Sequence, residues 1–149
     1  MQHDDIYLQA AIAQAMKSHR EGGIPIGAAL AVGETLVGLG HNQRVQQLDP
    51  ILHGETDCIR NAGRLSPRDY RNATLYTTLS PCDMCTGTIL MFGIPRVVVA
   101  ENKNFVGGEE LLESRGVEVV VVDNAEITGV LKTFIEEHPE LWNEDISQV

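Results

Sequence analysis

Apolar residues recur along the chain with two distinct periods, which predict an alternation of helices and strands. Short apolar or β-branched runs bounded by turn residues are typical of strands. The predicted strands are 26–32, 35–41, 74–78, 96–100 and 118–122. Helical spacing and helix start or stop signals indicate the remaining elements. The predicted helices are 5–20, 53–62, 82–92, 109–115 and 125–137. In the first of them, Ile6, Ala10, Ala13, Met16 and Lys17 lie at helical spacing, which predicts an amphipathic helix.

The connections between these elements indicate the fold class. A turn at Gly33-Glu34 joins the first two strands into an antiparallel hairpin, and a polar loop occupies 42–50. Two valine-rich runs each follow a helix, which favours parallel strands covered on both faces. We therefore expect one α/β domain over 1–149, with a five-stranded mixed sheet and helices on both sides. The tail 141–149, which carries the only tryptophan, is assigned no element.

The charge balance narrows the class of partner. The chain has 149 residues, with 21 Asp and Glu against 11 Lys and Arg, and its net charge is −10. Because binding to a polyanion depends on basic residues that neutralise phosphates, we expect no long nucleic acid as a partner. A small neutral molecule fits this balance better.

The cysteines and the absence of targeting signals predict a compartment. The first five residues are polar and acidic, unlike a signal peptide, and no apolar run approaches the length of a membrane helix. An odd number of cysteines, Cys58, Cys82 and Cys85, argues against a disulfide framework. We expect a cytoplasmic protein with no membrane partner, in which Cys58 is a small core residue.

The chemistry of the chain concentrates in two motifs, each at the start of a predicted helix. One is His53-Gly54-Glu55, and the other is Pro-Cys-Asp-Met-Cys at 81–85. His53, Cys82 and Cys85 supply three zinc ligands, and three protein ligands with one open position are typical of a catalytic zinc. The start of a helix also favours thiolates, because free N–H groups and the positive dipole end lie there. The sequence therefore predicts one catalytic Zn²⁺ per chain.

Glu55 is the candidate proton carrier of this site. It lies two residues from His53, close to the metal but not on the face of that ligand. A zinc site lowers the pKa of water toward about 7, and a carboxylate nearby can take up the released proton. A redox-active C-x-x-C pair would leave His53 and Glu55 unexplained, and a purely structural zinc would need a fourth ligand.

The two motifs together form a recognisable signature. H-x-E followed by P-C-x-x-C is the signature of zinc-dependent nucleobase deaminases. Beyond it, the chain resembles the fungal free-base cytosine deaminases from about residue 7 almost to residue 149. The segments that carry this resemblance are 22–27, 40–42, 52–55, 77–87, 93–96, 101–102, 104–105 and 142–146.

The resemblance implies a fold, an activity and a set of substrate contacts. The fold would be the three-layer α/β/α sandwich of the cytidine deaminases, in a homodimer. The reaction would be hydrolysis of cytosine to uracil and ammonia, a step of pyrimidine salvage, with Glu55 carrying protons from water to the ring and the amino group. The residues implied to bind the base are Asn42, Gly54, Ser80, Phe105, Trp142, Asp145 and Ile146.

Departures from the fungal pattern leave the substrate open. Asn143 stands where an aromatic residue is expected, and the segments 55–58 and 106–110 also differ. Isocytosine, guanine or another free aminated heterocycle is the first alternative substrate. The further alternatives are tRNA adenosine deamination, which the net charge disfavours, and a catalytically silent zinc-binding module.

Overall fold

A five-stranded mixed sheet forms the middle layer of the fold. The computed structural model describes residues 3–149; Met1 and Gln2, which begin the polar start considered above, lie outside the described residues. The strands are β1 (Gly27–Val32), β2 (Thr35–His41), β3 (Ala73–Thr77), β4 (Arg96–Val99) and β5 (Glu118–Val121). Their order in the sheet is β2-β1-β3-β4-β5. Strand β1 is antiparallel to β2 and β3, whereas β3, β4 and β5 are parallel.

Helices cover both faces of this sheet. They are α1 (Asp4–Arg20), α2 (Arg44–Gln47), α3 (Gly54–Ala62), α4 (Pro67–Arg71), α5 (Asp83–Phe92), α6 (Glu109–Ser114), α7 (Ala125–Glu137) and α8 (Pro139–Asp145). Alternate strand residues face opposite layers, as the two-residue period of a strand requires. Leu30 and Val97 pack with α3, α5 and α6, while Ala29 and Val98 pack with α1 and α7. The expected three-layer α/β/α sandwich is confirmed.

The first predicted helix is confirmed as α1, but only some of its named apolar positions pack on the sheet: Ala10 and Met16 are partly buried there. Ile6 is 64% exposed and Ala13 is also exposed. The face that packs on the sheet consists chiefly of Tyr7, Leu8, Ala11, Ile12, Ala15 and Ser18. This face contains small residues where the backbone of α1 approaches β1, and the approach is so close that a Cβ on Gly27 would collide with α1.

The structure adds three short helices that the sequence did not predict. The polar loop contains α2, and the predicted tail begins with α8. Pro139 is the first residue of α8, a position where proline is favoured. Helix α4 had a readable signal, because Ser66 and Asp69 form a reciprocal capping box.

The last strand is less buried than predicted. The valine run of β5 forms an edge of the sheet and is only half-buried, and Val122 just beyond it is 45% exposed. No helix within residues 3–149 has the length and apolar character needed to span a bilayer.

The sheet topology brings several loops together at one edge of the sheet, the one formed by the carboxyl ends of the parallel strands. The end of β2, the start of β1 and the end of β3 lie side by side, since Gly27 pairs with His41 and Ala28 pairs with Thr77. The N-termini of α3 and α5 reach the same edge. Crevices outside the carboxyl ends of parallel strands are the usual binding sites of α/β folds.

Candidate active site

His53, Cys82 and Cys85 meet at this edge of the sheet. The Nδ1 atom of His53 lies 3.3 Å from the Cys82 sulfur and 3.8 Å from the Cys85 sulfur. All three potential ligand atoms lie within 4.8 Å of one another. One imidazole nitrogen and two thiolates are a donor set that suits zinc and leaves a fourth position open. The predicted ligands therefore converge in a geometry that fits the metal.

Helix starts fix the positions of these side chains. His53 and Cys82 are the N-cap residues of α3 and α5, and both have extended backbone angles. The backbone N–H of His53 donates to the hydroxyl of Thr56 at 3.0 Å, and the amide of Thr86 donates to the carbonyl of Cys82 at 2.8 Å. The two ligand segments are thus anchored by the first turns of the helices that follow them.

The donor atoms of this cluster compete for protons. Hydrogen bonding from Cys85 is the main influence on the pKa of Cys82, and despite the opposing effect of burial it lowers that pKa to about 4, with His53 assisting. The pKa of Cys85 rises well above its usual value because it faces the Cys82 thiolate and is buried. A bound divalent cation displaces the protons for which these atoms compete. Both cysteines can then be thiolates, and the two thiolates neutralise the charge of the cation.

Glu55 is enclosed beside the three donors. Its residue is 3% exposed. Burial and, to a smaller extent, the nearby charge of Cys82 raise the pKa of its carboxyl to about 7, against the opposite effect of His53. A carboxyl that titrates near neutrality can both accept and release a proton at the pH of the cell.

A carboxylate from α8 lies on the other side of the histidine. The Oδ1 atom of Asp145 is 3.3 Å from Nε2 of His53 and accepts a hydrogen bond from the amide of Asn42 at 3.1 Å. Burial acts to lower the pKa of His53, but the hydrogen bonds with Asp145 and Cys82 outweigh it and raise that pKa to about 10. A carboxylate on the outer nitrogen of a metal-binding histidine fixes the orientation of the ring.

A small cavity opens onto this cluster. The predicted site residues in its lining are His53, Glu55, Ser80, Cys82, Phe105, Trp142, Asp145 and Ile146. Phe105 and Trp142 meet edge to face, with ring centroids 6.2 Å apart. The lining thus combines aromatic and aliphatic side chains with several polar groups, a combination that suits a flat heterocycle.

Two predicted contacts, Asn42 and Gly54, are not among the residues that line this cavity. Asn42 is fully buried and reaches the site through its hydrogen bond to Asp145. Gly54 is the first residue of α3 and lies against Gly27, where a Cβ would be 3.2 Å from the Cα of that residue. Asn143, the departure considered above, is also absent from the lining of this cavity.

The sequence analysis missed two apolar wall residues, Ile26 and Leu79. Both belong to the same buried cluster as Trp142, which forms where β1 begins and where the chain leaves β3. Both could have been identified from the sequence as candidate wall residues, because they lie at the ends of predicted strands that lead to the site.

A buried carboxylate shapes the loop that carries Phe105. Glu101 is fully buried and accepts hydrogen bonds from the backbone amides of Lys103 and Asn104. The amide of Gly107 then donates to the Ser80 hydroxyl at 2.9 Å. These bonds fasten the loop over the cavity. Outside it lies a wider, more open pocket, which shares His53, Cys82, Phe105, Asp145 and Ile146 with the cavity.

Comparison with known proteins agrees with this geometry. Residues 1–101 match the family described as the cytidine and deoxycytidylate deaminase zinc-binding region. The chain is 51% identical over 142 residues to the cytosine deaminase of Candida albicans, covering 95% of both proteins. It is 39% identical over 97 residues to a tRNA-specific adenosine deaminase of Buchnera aphidicola, covering 64% of both.

Among solved structures, the guanine deaminase from Nitrosomonas europaea superposes with a TM-score of 0.70 at 19% identity, covering 86% of this chain and 82% of that one. At this identity the likeness shows the fold alone. The matches confirm the resemblance predicted from the two motifs, and the match to a zinc-binding region confirms zinc as the cofactor.

Proposed function

This chain belongs to the cytidine and deoxycytidylate deaminase family of zinc-dependent hydrolases, and we propose that it converts free cytosine to uracil and ammonia. The observation that carries the proposal is the cavity, which is lined by Glu55, by two of the three metal-binding side chains and by two aromatic rings, and which adjoins the third ligand, Cys85. The 51% identity to a cytosine deaminase supports cytosine as the base.

His53 through Nδ1, Cys82 and Cys85 hold the zinc ion in this proposal. When bound, zinc lowers the pKa of water toward about 7 and so supplies a nucleophile at neutral pH. Asp145 holds the His53 ring from its outer nitrogen, so that Nδ1 faces the two sulfurs.

Glu55 carries the protons of the reaction. It accepts one from the attacking water and delivers it to ring atom N3, while the water oxygen bonds to C4. It then takes the remaining proton from the hydroxyl group added at C4 and passes it to the amino group; the C4–N bond breaks, C4 becomes a carbonyl carbon, and ammonia leaves. The pKa of about 7 that burial gives Glu55 suits transfer in both directions.

The remaining predicted residues recognise the edges and faces of the base. The amide of Gly54 lies in the first turn of α3, where N–H groups have no acceptor within the helix, and it donates to the ring carbonyl. The carbonyl of Ser80 accepts from the exocyclic amine. Asn42 and Asp145 bind the remaining polar edge, and Phe105, Trp142 and Ile146 cover the ring.

We further propose that residues 1–149 act as one deaminase domain, in a cytoplasmic homodimer that serves pyrimidine salvage. The reduced cysteines that the metal requires suit a reducing compartment. Leu48 is 89% exposed and Ile51 is 58% exposed, which offers apolar surface for a subunit interface beside the site. The net charge of −10 supports the absence of a long nucleic acid partner.

Ammonia release from a panel of substrates tests the proposal. The zinc-loaded protein is assayed with cytosine, isocytosine, guanine, adenine, cytidine and tRNA, and Glu55→Gln serves as the matched control. We expect fast release from cytosine alone. Turnover of another base would replace the substrate and keep the chemistry, whereas no release from any substrate by fully zinc-loaded protein would leave a zinc-binding module.

A further inference from the structure

Asp57 is a fully buried carboxylate that the proposed reaction does not use. Asp57 lies on α3, two residues after Glu55, and has no exposed surface. An ionised side chain is costly to bury unless hydrogen bonds compensate it. The position of those bonds therefore indicates what this carboxylate does.

The partners of Asp57 lie chiefly on the loop that follows β2. Its Oδ2 accepts from the backbone N–H of His41 at 3.0 Å, and its Oδ1 accepts from the amide of Gln43 at 3.0 Å. Asn61, one turn further along α3, approaches Oδ2 at 3.4 Å. Asp57 thus accepts hydrogen bonds from the residues on both sides of Asn42.

The other side of the same loop is fastened to α1. The Ser18 hydroxyl donates to the carbonyl of Asn42 at 2.8 Å, and the His41 ring lies 2.8 Å from a carboxylate oxygen of Glu21. Strand β2 packs so closely against α3 that a Cβ on Gly40 would collide with the backbone of Cys58. The loop is therefore held between two helices.

Asn42 connects this loop to the active site. Its side-chain amide donates to Asp145, whose same oxygen lies 3.3 Å from Nε2 of His53. A displacement of the loop would move Asn42 and loosen Asp145, both of which are proposed to bind the base. The metal-binding sulfurs are on a different helix and would stay in place.

We propose that Asp57 is a positioning residue for substrate recognition, whose carboxylate fixes the His41–Asn42–Gln43 loop and so sets the polar edge of the binding site. The inference rests on the proposed function, since it assigns Asn42 and Asp145 to the substrate. Its effect falls on KM, whereas the proton transfer by Glu55 is retained.

The test compares three substitutions in the full-length, zinc-loaded protein. Asp57→Leu has a similar shape and accepts no hydrogen bond. Asp57→Asn keeps one acceptor for His41, and rotation of the Gln43 amide restores the second bond. Asn61→Ala is the matched control: it removes the long contact of Asn61 with Asp57 and a hydrogen bond to the Leu39 carbonyl on β2, but it keeps the bonds from Asp57 to His41 and Gln43.

We expect Asp57→Leu to raise KM for cytosine about tenfold, because hydrogen bonds to a charged group are lost, while kcat per bound zinc stays within about twofold. Asp57→Asn restores a KM close to that of the wild type, and Asn61→Ala leaves it unchanged. An unchanged KM in Asp57→Leu, or an equal fall in kcat and kcat/KM, overturns the positioning role. If Asp57→Leu does not fold, Asp57→Ser takes its place with the same criteria.

Amide hydrogen exchange separates this inference from the proposed function. The His41 N–H is bonded to Asp57 and is expected to exchange at least about tenfold faster in Asp57→Leu, with no such change in Asn61→Ala. Equal exchange rates in wild type and Asp57→Leu overturn the inference even if cytosine is the substrate. If cytosine is not turned over, the proposed function fails, and the exchange rates still decide whether Asp57 fixes the loop.

Discussion

Replacing Asp145 by alanine separates two roles of one carboxylate. The resemblance assigns Asp145 to the base, whereas the structure also places its Oδ1 atom 3.3 Å from Nε2 of His53. Loss of such an outer hydrogen bond typically weakens metal binding by about 10- to 100-fold. We expect the lower end, about tenfold or 1.4 kcal/mol, because the same carboxylate also raises the pKa of His53 and so favours the proton that competes with zinc.

The substitution also has a cost in the metal-free protein. The fully buried amide of Asn42 loses its acceptor, which lowers the free energy of unfolding by about 1–3 kcal/mol. Competition with a chromophoric zinc chelator at pH 8 measures the affinity, and urea unfolding of the metal-free protein measures the stability. A zinc affinity within about twofold of wild type, with only KM raised, would refute the structural argument and leave Asp145 a substrate residue alone.

The remaining predictions concern the site and the core. Glu55→Gln keeps full zinc content but loses about 10²- to 10⁴-fold in kcat, and a wild-type rate would remove Glu55 from the proton transfer. Cys82→Ala loses zinc on dialysis, as metal analysis shows, and full occupancy would break the ligand assignment. Trp142→Ala, which empties a buried wall of the cavity, lowers the free energy of unfolding in urea by about 3–5 kcal/mol; a loss below about 1 kcal/mol would contradict this packing role. Hydrogen bonds from Arg96 hold the pKa of Asp4 well below its usual range. The ion pair therefore stabilises the folded protein fully above the unfolded-state pKa of about 4. This stabilisation is lost as the pH falls through the folded-state pKa. Asp4→Asn is therefore destabilising by about 2 kcal/mol at pH 7 and by less at pH 3, and an equal difference at both values would contradict the ion pair.

The metal cluster was predictable because its signal is local. Cys82 and Cys85 are separated by one helical turn, and His53 opens a second helix, so spacing alone indicated three donors of the right type. The hairpin and the parallel strands also followed from local patterns, since a two-residue turn favours a hairpin and valine runs after helices favour parallel pairing.

The hydrogen-bond network behind the cluster was not predictable in this way. Asp57 meets His41 across a sheet-to-helix contact, and Asn42 meets Asp145 from 103 positions away. Such contacts depend on how the layers pack, and no periodicity in the sequence reports it. The exposure of Ile6 on α1 was not predictable for a related reason, because which apolar positions of a helix face the sheet also depends on how the layers pack.

X-ray absorption at the zinc edge tests the central claim most directly, since the account depends on three protein ligands and one open position. For the zinc-loaded protein without substrate, we predict two sulfur ligands at about 2.3 Å, one imidazole nitrogen and one further light atom from solvent. Cys82→Ala should lose one sulfur contribution or the metal itself. A first shell of four protein ligands in the wild type, or a zinc signal that is unchanged in Cys82→Ala, would contradict the account.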